Sequence, residues 1–535
     1  MVSTAAAIVG AAVLLLVSFF RVPVAERLAV VPDDAFYYMV PAVNIARGLG
    51  PTADTITLTS AYHPLWMALL AVESWLVRFD KTALFAAVAI TGMALHVAGA
   101  LLLYLVGTRF APRPVAFALS VAYGVRERAL WEAVDGMEAA LVTFVVIAFA
   151  ALQTLPASPA WRRRAGSVVL GLVVLARTEL ALFALLWLAA VAVMTWRAEH
   201  RVGPVIRQVA VWIVGVALTV LPWIIVSRLL YGGFVQQSQL MKEFWRARLL
   251  AAGGPDAPLR VITEVLGTWI RVNYQLYPVL PLLLAFLVGI IVYRRLGDRW
   301  PAAAAPGDDA GRDALVMVAA TLGLHLAAAG LFYAVRFTFV RDWYFASGRV
   351  FWPLAALALW TLAWPPGAPT AAALRRLRAA TAVVLVVLAL GLLGVALVRT
   401  AHGGPLRDHT GVLCAGRLAV AEWVRAHTPP DAILAAYSSG TLAYFAERRV
   451  VNLDGLANND VLRVVQSRAM DRYLDRLGVT YVADHESIVR PDFVVAGLLH
   501  DGDPAYVDRL QEVYRVPCRS RYGDVVVWRV RPRER

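Results

Sequence analysis

The chain has 535 residues, of which 60% are hydrophobic and only 16% are charged, and its mean hydropathy is +0.64. Apolar runs recur along most of the sequence, which excludes a single soluble domain and predicts a polytopic α-helical membrane protein. The net charge of +14 does not indicate a nucleic-acid partner, because the arginines lie in short loops between apolar runs.

The first apolar run, residues 5–20, lacks the basic segment that opens a signal peptide, so we interpret it as a retained membrane helix. The loop that follows, residues 21–81, carries two adjacent carboxylates, Asp33 and Asp34. Three aromatic residues come next, which are Phe36, Tyr37 and Tyr38. Aromatic side chains favour the headgroup depth of a bilayer, and carboxylates at that depth predict a functional site. An ordinary acidic loop is the alternative.

Arginine clusters predict the orientation of the chain, because basic loops stay in the cytoplasm. The clusters lie at residues 109–113, 162–164, 197–207, 294–299 and 375–378. With the N-terminus inside, the loop 21–81 lies outside. Within that loop, the apolar run 63–77 is short for a crossing and fits a helix that lies against the membrane.

We predict about eleven membrane crossings in total. After the first, they cover residues 84–106, 114–124, 139–155, two short helices within 166–196, 208–230, 278–293, 313–334, 350–364 and 379–398. The run 166–196 lies between two cytoplasmic clusters and is broken at Arg177, Thr178 and Glu179, which predicts a hairpin with these residues at its outer apex. A long outer segment, residues 231–277, carries Lys242.

After residue 399 the apolar runs shorten to strand length, which predicts a soluble α/β domain over residues 400–535 beside a membrane module of residues 1–399. Strands are predicted at 432–437, 449–453, 479–483 and 524–530, and helices at 415–427 and 460–477. An odd number of crossings places this domain outside. It contains both cysteines, Cys414 and Cys518, which form either a disulfide bond or two buried free thiols.

The outer face combines carboxylates with cations at the membrane edge. The carboxylates are Asp33, Asp34, Asp135 and Glu138, and the cations are Arg177, Lys242, Arg336, Arg341 and Arg349. Carboxylates can take a proton from an attacking hydroxyl or hold a divalent cation, whereas guanidinium and ammonium groups can hold a phosphate. Together they describe glycosyl transfer from a polyprenyl-phosphate sugar. Each cation also has a simpler interpretation, in which its side chain extends to the lipid headgroups.

Five motifs in chain order resemble the GT-C superfamily of membrane glycosyltransferases, in particular its bacterial arabinofuranosyltransferase-like and mannosyltransferase-like members. The motifs are DDAFYY at 33–38 with Asn44 and His63 downstream, DGMEAAL at 135–141, LARTE at 175–179, YGG at 231–233 with Lys242, and VVNLDGL at 450–456. Two positions depart from the family pattern, since Asp135 replaces the more usual Asn and Thr178 the usual Pro.

The resemblance implies a GT-C fold and an inverting sugar transfer, from a polyprenyl-phosphate donor to a cell-envelope glycan or lipid acceptor on the outer face. It implies that Asp33 is the base, with Asp34 supporting it or sharing a divalent cation, and that Asp135 and Glu138 complete the acidic side. The candidates for holding the donor phosphate are Arg177, Lys242, Arg341 and Arg349. The candidates for contacting the substrate are Tyr37, Asn44, His63, Asn452 and Asp454.

Two other classes of function stay open on the sequence. A transporter or lipid flippase also uses charges within the membrane. Inverted internal repeats and charges at mid-membrane depth would favour that interpretation. A non-catalytic scaffold would bind cell-wall glycan through its soluble domain. The enzyme interpretation predicts a cavity in which Asp33, Asp34 and Arg177 converge within about 10 Å, a span bridged by one sugar phosphate.

Overall fold

The computed structural model of the chain describes residues 2–156, 158–254, 256–276, 280–296, 309–337, 340–364, 372–402, 416–489, 504–518 and 522–533. Helices form most of the described chain up to residue 402, and a mixed α/β region follows. Three parts of the predictions lie outside the described residues, which are the start of the predicted eighth helix, Arg299 and Cys414.

The N-terminal part contains seventeen described α-helices and two short 3₁₀ helices. The α-helices are α1 (Val2–Arg21), α2 (Val24–Arg27), α3 (Asp33–Ala46), α4 (Pro64–Leu76), α5 (Lys81–Phe110), α6 (Arg113–Gly124), α7 (Glu127–Glu132), α8 (Ala139–Thr154), α9 (Pro159–Ala176), α10 (Ala181–Glu199), α11 (Val202–Tyr231), α12 (Gln237–Ala252), α13 (Ala257–Leu276), α14 (Leu280–Leu296), α15 (Asp309–Arg336), α16 (Gly348–Ala363) and α17 (Ala372–Ala401). The 3₁₀ helices are Thr178–Leu180 and Asp342–Phe345.

Seven helical segments of the described chain are long and apolar enough to cross a membrane. They are Val2–Arg21, Lys81–Phe110, Thr178–Glu199, Val202–Tyr231, Ala310–Arg336, Asp342–Ala363 and Ala372–Ala401. Shorter apolar helices cover Pro64–Leu76, Ala139–Thr154 and Leu283–Val292. The chain is therefore a membrane protein, and the predicted total of about eleven crossings stays a prediction.

Local signals in the sequence explain several helix boundaries. Ser158 precedes α9 and its side chain accepts a hydrogen bond from the backbone N–H of Trp161, as an N-cap residue does. The break after α9 comes at Arg177, whose extended backbone separates α9 from α10 at the predicted hairpin apex. At the end of α11, Gly232 adopts a left-handed conformation with φ of 74°, which glycine tolerates without strain.

The outer segment 231–277 contains two helices, α12 and α13, that the sequence analysis does not give. Helix α12 mixes polar and apolar residues, so its hydropathy does not distinguish it from a loop. Its apolar residues Met241 and Trp245 pack into the core of the C-terminal α/β region instead of facing lipid. A tertiary contact, rather than the membrane, therefore stabilises this helix.

The C-terminal α/β region, hereafter the C-terminal domain, comprises the described residues 416–489, 504–518 and 522–533. Its strands are β1 (Ile433–Ala436), β2 (Arg449–Asn452), β3 (Val479–His485), β4 (Leu510–Val516) and β5 (Val525–Val530). Its helices are α18 (Gly416–His427), α19 (Gly440–Phe445), α20 (Val461–Gln466), α21 (Met470–Leu477) and α22 (Glu486–Val489), with a 3₁₀ helix at Pro504–Arg509.

The five strands form one sheet in the order β2-β1-β3-β5-β4. Strands β1, β2 and β3 are parallel, whereas β5 pairs antiparallel with β3 and with β4. The sequence analysis misses β4, because it is partly exposed along most of its length and carries polar residues among its apolar ones. The predicted helix 460–477 is two helices, since Arg468 between them adopts a left-handed conformation with φ of 50°.

The carboxyl ends of parallel strands β1 and β2 face the loop that carries the two aspartates. Helix α3 contacts α19, which directly follows β1, and Tyr37 of α3 donates a hydrogen bond to Asp454 just beyond β2. Cys518, near the other side of the sheet, is disulfide-bonded, and Cys414 is not among the described residues. The C-terminal domain is thus packed onto the aspartate loop, which defines the site described next.

Candidate active site

A cavity of about 280 Å³ lies where α3, the break at Arg177, α12 and the C-terminal domain meet. Six of the predicted site residues line it, which are Asp34, Tyr37, His63, Glu138, Arg177 and Lys242. The remaining lining is largely aromatic and includes Tyr333 and Tyr344. The cavity therefore brings one carboxylate of the loop 21–81 together with two cations from distant parts of the chain.

The two adjacent aspartates have different surroundings. Both lie in the first turn of α3, which begins directly after Pro32. Successive side chains of a helix point in directions about 100° apart, so the two carboxylates cannot share one environment. Asp34 lines the cavity, and burial raises the pKa of its carboxyl, while the charges of Arg341 and Lys242 oppose that rise.

The carboxylate of Asp33 points to the C-terminal domain and does not line the cavity. It accepts hydrogen bonds from the backbone N–H of Gly440 at 2.9 Å, and from the backbone N–H and hydroxyl of Thr441 at 2.8 and 2.7 Å. The guanidinium of Arg417 lies 3.4 Å from the same carboxylate. Four donor groups therefore hold Asp33, whereas Asp34 remains directed at the cavity.

Arg177 is 5% exposed and lies between two carboxylates. Its guanidinium pairs with Glu138 at 2.5 Å and with Glu179, donates to the carbonyl oxygen of Trp343 at 2.9 Å, and lies 5.1 Å from the ring centre of Tyr344. A planar fork of this kind can bond several oxygens at once. The second oxygen of Glu138, Oε2, has no hydrogen-bond partner among the described residues.

Lys242 forms the other positive group of the cavity. Its ammonium donates to the hydroxyl of Tyr344 and lies 4.8 Å from the ring centre of that tyrosine and 5.7 Å from that of Phe337. Within the described ranges it forms no ion pair with a carboxylate. A half-buried ammonium held by aromatic rings is well suited to an anionic ligand.

His63 is the neutral polar group of the cavity wall. Burial lowers the pKa of its imidazole, so the ring is uncharged at neutral pH. Its Nδ1 accepts from the backbone N–H of Thr178 at 3.4 Å, which leaves the proton on Nε2, 3.7 Å from Glu138. His63 therefore connects the loop 21–81 with the break between α9 and α10 at Thr178.

Besides Asp33, three of the acidic and phosphate-binding candidates lie away from the cavity. Asp135 is buried and accepts a hydrogen bond from the backbone N–H of Met137 at 2.8 Å, which stabilises the turn between α7 and α8. Arg349 is buried and pairs with Glu132, whereas Arg341 is exposed at the surface. The charge of Arg341 acts on a cavity residue, since it opposes the rise in the pKa of Asp34.

The substrate candidates outside the cavity wall are engaged in internal hydrogen bonds. The side-chain amide of Asn44 donates to the carbonyl oxygen of Thr52 at 2.7 Å. That of Asn452 donates to the hydroxyl of Tyr37 at 3.3 Å, and the carboxylate of Asp454 accepts from the same hydroxyl at 3.3 Å. Burial raises the pKa of Asp454 to about 8. These contacts join the C-terminal domain to the cavity wall.

The turn between α7 and α8 packs directly on α3 through Gly136. This glycine has φ of +84°, and a Cβ at its position would lie 2.7 Å from Met39 and 3.0 Å from Ala35. Its carbonyl oxygen also accepts from the indole of Trp66 at 3.0 Å. Only a residue without a side chain allows this close approach. The packing holds α3 at Ala35, the residue that follows Asp34.

We expect Gly136→Ala to destabilise the protein more than Gly48→Ala does. Gly48 has φ of +79° with no atom within 4 Å of its would-be Cβ, so alanine there carries only the backbone penalty of about 1 to 2 kcal/mol. Gly136→Ala adds overpacking against Ala35 and Met39, worth about 1 to 3 kcal/mol. Thermal unfolding of both variants in detergent micelles measures the difference, and equal midpoints would contradict the close packing.

Sequence reasoning misses Tyr344, which contacts both Arg177 and Lys242. It also misses Gly440 and Thr441, which bind Asp33. None of these residues belongs to a motif with recognisable spacing, so only the tertiary structure identifies them. Among the described residues, no group of three or more His, Cys, Asp or Glu side chains is arranged to hold a metal ion.

Comparison with known proteins gives one family model and several solved structures. A model described as a domain of unknown function (DUF8728) matches residues 407–527, which cover most of the C-terminal domain. No curated protein matches the sequence. The structural matches extend over nearly the whole chain.

The apo crystal structure of the Archaeoglobus fulgidus oligosaccharyltransferase matches with 14% sequence identity and a TM-score of 0.58, covering 98% of this chain and 74% of that chain. The crystal structure of ArnT from Cupriavidus metallidurans bound to undecaprenyl phosphate matches with 14% identity and a TM-score of 0.55, covering 98% and 97%. Both neighbours are GT-C glycosyltransferases. The chain therefore has the GT-C fold, with a C-terminal α/β domain.

Proposed function

We propose that this protein is a glycosyltransferase that moves a sugar from a polyprenyl-phosphate carrier to a hydroxyl group of a cell-envelope acceptor. The observation that carries the proposal is the cavity in which Asp34 meets Arg177 and Lys242. A carboxylate and two cations that line one cavity match an acceptor hydroxyl and a leaving phosphate. The ArnT structure, whose fold this chain shares, contains undecaprenyl phosphate, which supports the choice of lipid carrier.

In the proposed reaction, the oxygen of the acceptor hydroxyl attacks the anomeric carbon of the donor sugar. The bond between that carbon and the phosphate oxygen breaks, and its electron pair stays on the phosphate. The acceptor proton passes to the carboxylate of Asp34, and the anomeric configuration inverts. Arg177 and Lys242 stabilise the negative charge that the phosphate gains as the bond breaks.

The geometry favours Asp34 over Asp33 as the base. Asp34 lines the cavity, and its raised pKa makes its carboxylate a better proton acceptor than an ordinary aspartate. Asp33 accepts hydrogen bonds from the C-terminal domain with both of its carboxylate oxygens. In this proposal the resemblance-based roles of the two aspartates are exchanged, and Asp33 supports Asp34.

The proposed orientation places the cavity and the C-terminal domain on the outer face of the membrane. The arginine clusters of the sequence favour it, because basic loops stay in the cytoplasm. The phosphate of the carrier would then lie at the headgroups of the outer leaflet while its tail stays in the hydrocarbon. A divalent cation at Asp34 is compatible with the proposal but is not part of it.

We expect cells that lack this protein to accumulate a polyprenyl-phosphate sugar, because its consumption on the outer face stops. Thin-layer chromatography and mass spectrometry of extracted lipids measure the accumulation and identify the sugar. A chain that carries Asp34→Asn must fail to reverse the accumulation, whereas the wild-type chain must reverse it. An unchanged lipid pool would contradict the donor, and accumulation on the inner leaflet alone would indicate a flippase.

A further inference from the structure

The contact between Asp33 and the C-terminal domain is unusually close. A Cβ at Gly440 would lie 2.2 Å from the backbone carbonyl oxygen of Asp33 and 3.0 Å from its carboxylate. The hydroxyl of Thr441, 2.7 Å from that carboxylate, completes the contact. Hydrogen bonds to a charged group are stronger than neutral ones, so this contact holds the first turn of α3 firmly.

The same domain also holds the helix that carries Lys242. Met241 is completely buried, and with Trp245 it belongs to the hydrophobic core of the C-terminal domain. Gly455, which has φ of +75°, contacts the thioether of Met241, since its would-be Cβ lies 3.1 Å from that sulfur. The residue next to Met241 in the sequence is Lys242, which faces the cavity.

The C-terminal domain makes a third set of contacts, with Tyr37 and with the loop that precedes His63. The hydroxyl of Tyr37, one turn after Asp34, accepts from the amide of Asn452 and donates to Asp454. The loop at residues 58–60, which precedes His63, is held by Asn459 through its backbone and side chain. One surface of the domain, at the carboxyl ends of β1 and β2, thus contacts three segments of the cavity wall.

We propose that the C-terminal domain is a positioning element, which sets Asp34 and Lys242 in the cavity wall by binding Asp33 and Met241. Asp33 is then a positioning residue rather than the base, because its carboxylate is bound at the domain while the next side chain faces the cavity. Arg177 and Glu138 are held by the membrane part, so the site is completed only when the domain is in place. This inference rests on the proposed function for the identity of the base.

The test uses the full-length chain in membrane vesicles, with the native pool of polyprenyl-phosphate sugars radiolabelled as the probe. We expect Thr441→Val and Asp33→Asn each to lower kcat about tenfold, and the double variant to be no worse than either alone. Thr441→Ser keeps the hydroxyl and restores the rate. Thr480→Val removes an exposed hydroxyl of the same domain that does not contact Asp33, and it serves as the matched control.

Hydrogen exchange of the purified variants gives a second measurement that does not depend on activity. We expect Thr441→Val, Asp33→Asn and Gly440→Ala to increase exchange of the amides in residues 33–46 several-fold, and Thr480→Val to leave it unchanged. Gly440→Ala acts by steric displacement, so it tests the contact without removing a hydrogen bond.

Two outcomes would overturn the inference. The first is loss of all activity in Asp33→Asn with normal activity in Thr441→Val, which would make Asp33 the base. The second is unchanged exchange and activity in both Thr441→Val and Gly440→Ala. If instead Asp34→Asn keeps full activity while the exchange results are as expected, the proposed role of Asp34 as the base fails and the positioning contact stands.

Discussion

Asp34→Asn is expected to lower sugar transfer roughly a hundredfold to ten-thousandfold, the range that a general base contributes. The substitution keeps the size of the side chain but removes its ability to accept a proton from the acceptor hydroxyl. Asp34 lines the cavity. Among the described carboxylates of the loop 21–81, it is the one that does so. Transfer of radiolabel from the native polyprenyl-phosphate sugar pool to acceptor, in membrane vesicles, measures the effect.

The pH dependence of the same reaction follows from the raised pKa of Asp34. A base works only when ionised, so kcat/KM should fall as the pH decreases through that pKa. Because burial raises the pKa above the ordinary value for aspartate of about 3.9, the fall should begin at a higher pH than for an exposed aspartate. A rate that is flat throughout the acidic range would show that Asp34 does not take the proton in the rate-determining step.

Glu26→Gln is the matched control for Asp34→Asn. Glu26 is an exposed carboxylate of the same outer loop, and it does not line the cavity. Its substitution removes the same unit of negative charge near the membrane and should leave transfer within about twofold, since surface substitutions have small effects. An equal loss in both variants would indicate a general electrostatic effect rather than a base.

Arg177→Lys is expected to lower kcat about a hundredfold to a thousandfold with a much smaller change in the KM for the sugar donor. The guanidinium bonds Glu138, Glu179 and the carbonyl oxygen of Trp343 at once. An ammonium is a point charge that cannot reproduce this fork, although it keeps the attraction for phosphate. The phosphate gains most charge as the bond breaks, so turnover suffers more than binding.

Measurement of kcat and KM in vesicles, together with binding of undecaprenyl phosphate to the purified variant, separates the two effects. Arg336→Lys is the control, because Arg336 forms an ion pair with Glu243 at 2.6 Å but is half-exposed and does not line the cavity. Unchanged kinetics in Arg177→Lys would indicate that a simple point charge suffices. Arg177→Ala is less informative, since leaving two buried carboxylates unpaired destabilises a fold by about 3 to 5 kcal/mol.

Much of the fold follows from patterns that act over short distances. Length and apolarity predict the long helices, and Arg177 with its polar neighbours marks the break between α9 and α10. Short apolar runs of strand length predict β1, β2, β3 and β5. Each of these signals is complete within one segment of the sequence.

The different surroundings of Asp33 and Asp34 could not be predicted. They depend on the contact of Asp33 with Thr441, which lies 408 residues away in the chain. Helix α12 could not be predicted for the same reason, because its residue Met241 is buried against the C-terminal domain rather than by lipid. Neighbouring residues of one type look equivalent in a sequence. They become different only when the tertiary structure gives one of them a partner.

The distance between Asp33 and Thr441 along the chain also affects when the site can assemble during synthesis of the protein at the ribosome. At roughly 5 to 20 residues per second, the segment that binds Asp33 is synthesised about 20 to 80 s after Asp33 itself. The sheet behind it needs β5 as well, because β5 pairs with β3. During this interval the nascent protein already lies in the membrane but has no assembled site. A chain whose translation stops before Thr441 lacks the contact that holds Asp33.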